Sequence, residues 1–442
     1  MMRRYPAYKD TGVEWLGEVP DGWEVRRLGY CFTERREKVS DRDFPPLSVT
    51  MNGIVPQLDT AAKSDDGDNR LLVRAGDFVV NSRSDRKGSS GLSDRDGSVS
   101  LISIVLTPRS IIIGRFAHWL LKSRGFQEEF YRWGSGIVAD LWTTRFGDMS
   151  SIALPLPLPA EQTAIAAFLD RETAKIDALV AEQRRLIDLL REKRQAVISH
   201  AVTKGLNPAA PMKPSGVDWL GDVPEGWEVV QARRFVIAFE QGHSPDCDSR
   251  PAVDGEWAVL KSGCVNRGVY RDDDNKALPE SIPPRTQLEV VAGDLLMSRA
   301  SGSPDLIGSV ALVVHTAGRR LISDKIFRLQ LSVHADSHYV KWLFASDALR
   351  GQIVNAISGA EGMANNLPQS KIKEFWCALP PLEQQTAIAH YVEHAVQQID
   401  MLCNQTDLAI TLLQERRAAL ISAAVTGKID VRDLASVETE AA

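Results

Sequence analysis

The chain has 442 residues, 44% of them hydrophobic and 25% charged, with a formal net charge of −6; that is material for two folded cores of ordinary domain size and argues against a disordered chain. Five single cysteines with no C-x-x-C pair argue against a disulfide framework and a zinc ribbon, and fit a reducing cytoplasm. No window approaches the roughly 18 apolar residues of a membrane span, and the start Met1-Met2-Arg3-Arg4 lacks a secretory apolar stretch.

In chain order, the first landmark is Val13-Glu14-Trp15-Leu16-Gly17-Glu18-Val19-Pro20-Asp21-Gly22-Trp23-Glu24-Val25. It returns at Val217 to Val229, identical at ten positions and exchanging Asp with Glu at three. Next come Leu71 to Val80 and Gly88 to Leu106, short β-branched alternations around Gly/Asp turns that predict strands, then a short helix around Trp119-Leu120. From Glu161 to Thr203 no Pro or Gly interrupts the chain; about 43 helical residues at ~1.5 Å rise would span about 60 Å. Ile176, Leu179, Gln183, Leu186, Leu190 and Val197 fall near a 3-4 spacing and predict a coiled-coil seam. The same order then repeats: Leu288 to Met297 and Ile307 to Leu331 as strands, Trp342-Leu343 in a short helix, and a second long helix from Glu383 to Thr426 with Ile399, Leu402, Leu413 and Leu420 on its seam.

A second repeat makes the duplication architectural. Gln162-Thr163-Ala164-Ile165-Ala166 recurs as Gln385-Thr386-Ala387-Ile388-Ala389, and the same 223-residue offset pairs Ile176-Asp177 with Ile399-Asp400. A period this long is no solenoid, so each copy is a module with its own core. The predicted fold class is α+β: two tandem, mainly β globules at 1–153 and 207–378, each followed by a long helix at 154–206 and 379–428, with a tail at 429–442. The two helices are expected to pair as an antiparallel coiled coil, the alternative being that each docks on its own globule. Charge divides as +1, +1, −3 and −5 over 1–153, 154–206, 207–378 and 379–442. No segment is globally basic, so DNA binding would rely on clustered cations or a basic partner.

The helix entries Leu156-Pro157-Leu158-Pro159-Ala160-Glu161-Gln162-Thr163-Ala164-Ile165 and Leu379-Pro380-Pro381-Leu382-Glu383-Gln384-Gln385-Thr386-Ala387-Ile388, the Trp-Leu-Gly-x-Val-Pro-x-Gly-Trp module starts and the Ala-Val-Thr helix ends resemble the specificity subunit of Type I restriction–modification enzymes. The resemblance spans nearly the whole chain. It implies a non-catalytic reader of bipartite, asymmetric double-stranded DNA, one target-recognition domain per half-site, with the helices fixing the unread spacer. It also implies docking of two methyltransferase subunits and of restriction/translocase subunits; S-adenosylmethionine, ATP and Mg belong to those partners, and no cofactor to this chain. The sequence has no Walker A motif, no Asp/Asn-Pro-Pro-Tyr and no G-x-G-x-x-G, which suits a subunit without catalytic machinery.

Candidate DNA contacts follow from residue chemistry. Gly76-Asp77-Phe78-Val79-Val80-Asn81-Ser82-Arg83 is echoed by Gly293-Asp294-Leu295-Leu296-Met297-Ser298-Arg299, one residue shorter. Ser82, Arg83, Ser84, Arg86 and Lys87, and Ser298, Arg299 and Ser301, suit phosphate oxygens or a guanine edge; the alternative is a solvated loop whose Arg pairs with the Asp. Trp142-Thr143-Thr144-Arg145 and Asn365-Asn366 offer base-reaching groups, or plain turn chemistry. Arg35, Arg36, Lys38, Arg267 and Arg271 read as solvated faces. Trp15, Trp23, Trp219 and Trp227 are expected in packing, not base stacking. His390-Tyr391-Val392-Glu393-His394 matches H-x-x-E-H, but the first copy has Ala167 and Arg171 at the histidine positions; Pro245-Asp246 with Asp274-Asn275-Lys276 is a loose nuclease-like pattern without a first-module equivalent. The rival functions are a protein-only coiled-coil adaptor and a metal-dependent nuclease.

Overall fold

The computed structural model describes residues 3–59, 67–136, 142–357 and 365–432. They form two compact units, one from the residues up to Arg184 together with those from Asp407 onward, the other from Arg185 to Thr406. The division cuts both long helices, so each unit contains one globule and a piece of each helix. The expected boundaries at 153, 206, 378 and 428 divide the chain differently from these units. Of the expected tail, 433–442 lie outside the described residues, while Val431 is fully buried in the first unit's core.

In the first unit, a four-stranded antiparallel sheet has the order 90–92, 78–81, 103–108, 32–35. In the second, the order is 310–312, 295–298, 326–331, 236–241, again antiparallel. Taken strand by strand the two sheets share one topology, although their sequences diverge. Strand Phe78–Asn81 is buried at every position, as is Leu295–Ser298, because one face packs on the Trp-bearing helix and the other on a smaller cluster. The segment Leu288–Val291, expected as a strand like its counterpart 70–73, makes one bridge, Glu289 with Leu321, after a 3-10 turn at Thr286–Leu288. Ala258–Leu260 instead takes the centre of a three-stranded sheet, between 275–277 and 320–321, as 70–73 does between 97–99 and 38–39 in the first unit. Behind each Trp-bearing helix, Gly114–Lys122 and Ser337–Ala345, lies a further short helix, Arg124–Arg132 and Asp347–Ala356.

The long helices run over Pro159–Lys204 and Leu382–Val425, 46 and 44 residues. Pro159 opens the first where its missing N–H costs nothing. Each helix ends on a glycine at positive φ, Gly205 at +77° and Gly427 at +72°. A Cβ on Gly205 would lie 3.2 Å from the Trp227 ring, and one on Gly427 2.3 Å from Pro20 and 3.2 Å from Trp23. The repeated tryptophan thus seals a helix end in each unit, and Trp23 and Trp227 are both 2% exposed. Trp15 packs half-buried against the first core, whereas Trp219 is 44% exposed, against expectation.

The wholly buried Gln162 and Gln385 fasten globule to helix in the same way twice. Gln162 Oε1 accepts from Ile113 N–H at 2.7 Å, and its Nε2 donates to the Ile111 and Pro157 carbonyls. Gln385 accepts from Asp336 N–H and donates to the His334 and Pro380 carbonyls, each at 2.8 Å.

The seam of the first helix differs from the expected one. Ile176 and Leu190 are buried as read, but Leu179 and Leu186 are 51% and 42% exposed, and Val180 and Ile187 take their places. The adjacent apolar pairs 179–180 and 186–187 allow either register by hydrophobicity alone, and packing selects the β-branched member. On the second helix Ile399 and Leu420 are buried and Leu413 half-buried, while Leu402 is 49% exposed. There the shielded residues Val392, Val396, Ile399, Cys403, Thr406, Ile410, Leu413, Arg417, Leu420 and Ala424 step by alternating fours and threes, a heptad seam.

The helix segments run antiparallel, with one ion pair in each unit: Arg417 with Asp177 at 2.9 Å, and Arg194 with Asp400 at 3.1 Å. These are the same two positions at the 223-residue offset, with the helices exchanging roles. Each arginine also lies over the tryptophan of its unit's short helix, Arg417 over Trp119 at 5.8 Å and Arg194 over Trp342 at 6.0 Å. Among the described residues no helix is long and apolar enough to cross a membrane.

Candidate nucleic-acid interface

The buried strand 78–81 delivers the next residues to the sheet's end, where they meet the second candidate segment. Ser84 N–H donates to the Trp142 carbonyl at 2.9 Å and Thr144 N–H to the Ser82 carbonyl at 3.0 Å, so Arg83 and Thr143 stand opposite. In the second unit Leu367 N–H donates to the Arg299 carbonyl at 2.8 Å, and Ala300 and Ser301 pair with Asn366 and Asn365. Candidates some sixty residues apart in sequence therefore form one edge in each module.

Within that edge the side chains divide. Ser82, Thr144 and Ser298 are buried, at 5%, 1% and 0% exposure. The Ser82 hydroxyl donates to the Ile102 carbonyl and that of Thr144 to the Phe130 carbonyl, so these residues hold backbone and do not face a ligand. Arg83, Arg86, Lys87 and Arg145 are exposed, Trp142 is 39% exposed, and Ser84 and Thr143 are half-buried. Arg86 lies 3.7 Å from Asp85, Lys87 sits 5.6 Å from the Tyr131 ring centroid, and Arg145 N–H donates to Asp148.

Matching Arg299 to Arg83 by the shared Ser-Arg needs correction. Ser82 N–H donates to the Ile102 carbonyl as Arg299 N–H donates to the Lys325 carbonyl, so Arg299 corresponds to Ser82, and Ala300 to Arg83. The missing residue moves the arginine inward. Arg299 is half-buried, its guanidinium lies 5.5 Å from the Phe327 centroid, and it donates to the Asp324 carbonyl at 3.3 Å. The Ser301 hydroxyl accepts from Ser303 N–H, and Asn365 and Asn366 are half-buried.

In the first module the edge opens on a concavity of about 690 Å3 lined by Ser84, Lys87, Trp142 and, from the short helix, Arg124, Tyr131 and Arg132. The Tyr131 hydroxyl accepts from Gly88 N–H and donates to the Arg86 carbonyl, which fixes the loop that carries Lys87. Burial raises the Tyr131 phenol above its ordinary range, so it stays neutral. Sequence reasoning missed this helix. Its signal was present: Ser123 caps it by accepting from Phe126 N–H, and Phe126 and Phe130 mark the buried face four residues apart, leaving Arg124 and Arg132 outward.

The other patterns resolve locally. Arg35 is spent on Asp77 at 2.8 Å and Arg36 on Glu34. In the H-x-x-E-H stretch Glu393 pairs with Lys341, and among the described residues no three His, Cys, Asp or Glu converge as metal ligands.

No family model matches the chain. The specificity subunit of the Type I restriction enzyme EcoEI of Escherichia coli is 30% identical over 204 residues, 46% of this chain and 34% of that one, so the chain spans about a third of that relative's length. The EcoKI specificity subunit of Escherichia coli strain K12 is 24% identical over 348 residues, 76% of this chain and 72% of that one. Among solved structures, a chain of a type I restriction–modification system superposes with a TM-score of 0.69 at 16% identity, over 92% of this chain and 98% of that one, and shares the fold. By its duplicated frame, its paired helices and these relatives the chain is similar to the specificity subunits of Type I restriction enzymes, and it shares the fold of a type I restriction–modification chain.

Proposed function

We propose that this chain reads a bipartite, asymmetric double-stranded DNA sequence, one globule per half-site, while the long helices fix the unread spacer. In this reading it catalyses nothing. Two methyltransferase subunits and restriction/translocase subunits dock on the helices and bring S-adenosylmethionine, ATP and Mg, and the assembly works in the cytoplasm. The observation that carries the reading is the repeated edge: a common sheet topology presents, at one place in each module, different side chains. Arg83, Lys87 and Trp142 stand in the first, and Ser301, Asn365 and Asn366 in the second. Common geometry with different exposed chemistry is what two unlike half-sites require.

The test is co-expression with a cognate methyltransferase subunit, followed by single-molecule sequencing of host DNA for modified adenines. The expected result is one bipartite motif that changes in one half when residues 30–150 are exchanged for those of a relative, and in the other when 236–375 are exchanged. A stable complex that leaves no motif supports the protein-only adaptor instead.

A further inference from the structure

The second module carries a formal charge of −3 over 207–378, so any hold on a polyanion must come from cations concentrated locally. One such concentration exists. A concavity of about 510 Å3 is lined by Lys261, Lys276 and Lys325, with Ser323 and Asp324 beside them. The lysines come from three places in the chain: the end of strand Ala258–Leu260, its antiparallel partner strand Asn275–Ala277, and the turn before strand Ile326–Leu331.

The cations there are largely unspent. Lys276 and Lys325 are exposed, and among the described residues no ion pair holds either. Lys261 meets Asp274 only at 3.8 Å. Asp324 Oδ1 accepts the Ser244 hydroxyl and keeps its charge, so in the wall three lysines stand against this one carboxylate. The Ser323 hydroxyl, in a residue 4% exposed, has no hydrogen-bond partner. Three ammonium groups lining one concavity suit a tetrahedral oxyanion, and the unpartnered hydroxyl of Ser323 belongs to a residue of the same wall.

The concavity adjoins the reading edge. Arg299 N–H donates to the Lys325 carbonyl at 2.9 Å and the Arg299 guanidinium to the Asp324 carbonyl. At the corresponding turn of the first module stand Leu101 and Ile102, 46% and 41% exposed and uncharged. We propose that this concavity clamps phosphodiester oxygens of the DNA backbone flanking the second half-site, a hold the first module does not have at this turn. The inference rests on the DNA-reading function above.

The test uses the assembled methyltransferase complex and two duplexes, one cognate and one with a scrambled second half-site, titrated across a salt series. Lys276→Ala and Lys325→Ala should weaken both duplexes equally and lower the log–log salt slope by about 0.9 per lysine removed. Raising salt from 50 to 200 mM would then cost each single variant about 3.5-fold less affinity than it costs the unsubstituted complex. Lys325→Arg should restore the slope. An unchanged slope in a complex that still prefers cognate DNA overturns the clamp and leaves the reader standing. Loss of preference for particular bases, without a slope change, also overturns it, because the lysines would then read bases. A complex indifferent to sequence that still loses slope keeps the clamp and removes the reader.

Discussion

Replacing Gln162 with Leu should test how globule and helix are joined. Leucine keeps most of the volume and none of the hydrogen bonds. The Ile111 carbonyl lies on an exposed residue and can turn to water, but Ile113 N–H and the Pro157 carbonyl lose their partner inside the structure. Each such group costs about 1–3 kcal/mol, offset by about 1–2 kcal/mol from the added apolar burial. Two such groups less that offset leave an expected net loss of about 1–4 kcal/mol. Gln162→Glu should be worse than Gln162→Leu, because a carboxylate keeps the bond from Ile113 but faces two carbonyls without a proton to give. Urea unfolding followed by tryptophan fluorescence gives the loss, and hydrogen exchange at Ile113 locates it; Gln385→Leu should do the same at Asp336. A leucine variant within about 0.5 kcal/mol of the parent, or a glutamate variant milder than leucine, would refute the argument.

Two further outcomes follow from the same cores. The side chains of Arg417 and Asp177 are 33% and 56% exposed, so a double-mutant cycle should give a coupling below about 1 kcal/mol. Arg417→Ala alone should cost more than Asp177→Ala, since it also uncovers Trp119. Burial, with Lys122 and Arg115 adding to it, lowers the His118 imidazole to about 4, and its Nδ1 accepts from Leu92 N–H, a bond that only the neutral ring can make. The unfolded chain therefore binds the extra proton between pH 6.5 and about 4, and stability falls as pH drops through that window, by at most about 3 kcal/mol. His118→Asn should flatten that part of a pH-dependent unfolding curve, and an unchanged slope would show that the histidine is already charged in the folded protein.

The frame was legible in the sequence because each repeated residue does the same work twice. The glutamines, the Gly-capped helix ends and the Trp seals all recur at readable offsets. The sheet topology was not, since strands buried at every position can be filled by unlike residues, Phe78-Val79-Val80 in one module and Leu295-Leu296-Met297 in the other. The candidate edge was half legible. Its two strands could be named, but not their pairing, and the inward turn of Arg299 depends on a one-residue shortening whose effect only strand register reveals. Lys261, Lys276 and Lys325 were out of reach because nothing in their spacing says that they share a wall.

The unit that joins residues far apart in the chain, near Arg3 and near Val431, has a consequence for synthesis. Tyr8 donates to the Gly427 carbonyl, Asp430 N–H to the Arg3 carbonyl, and Val431 lies in the core that Trp23 helps to build. Residues 185–406 are contiguous and can complete their core as they leave the ribosome. The first globule, though made before that stretch, must wait for residues 407–432 before its apolar wall is covered. A chain truncated near residue 406 would thus leave the older globule open and prone to aggregation while the younger one is finished.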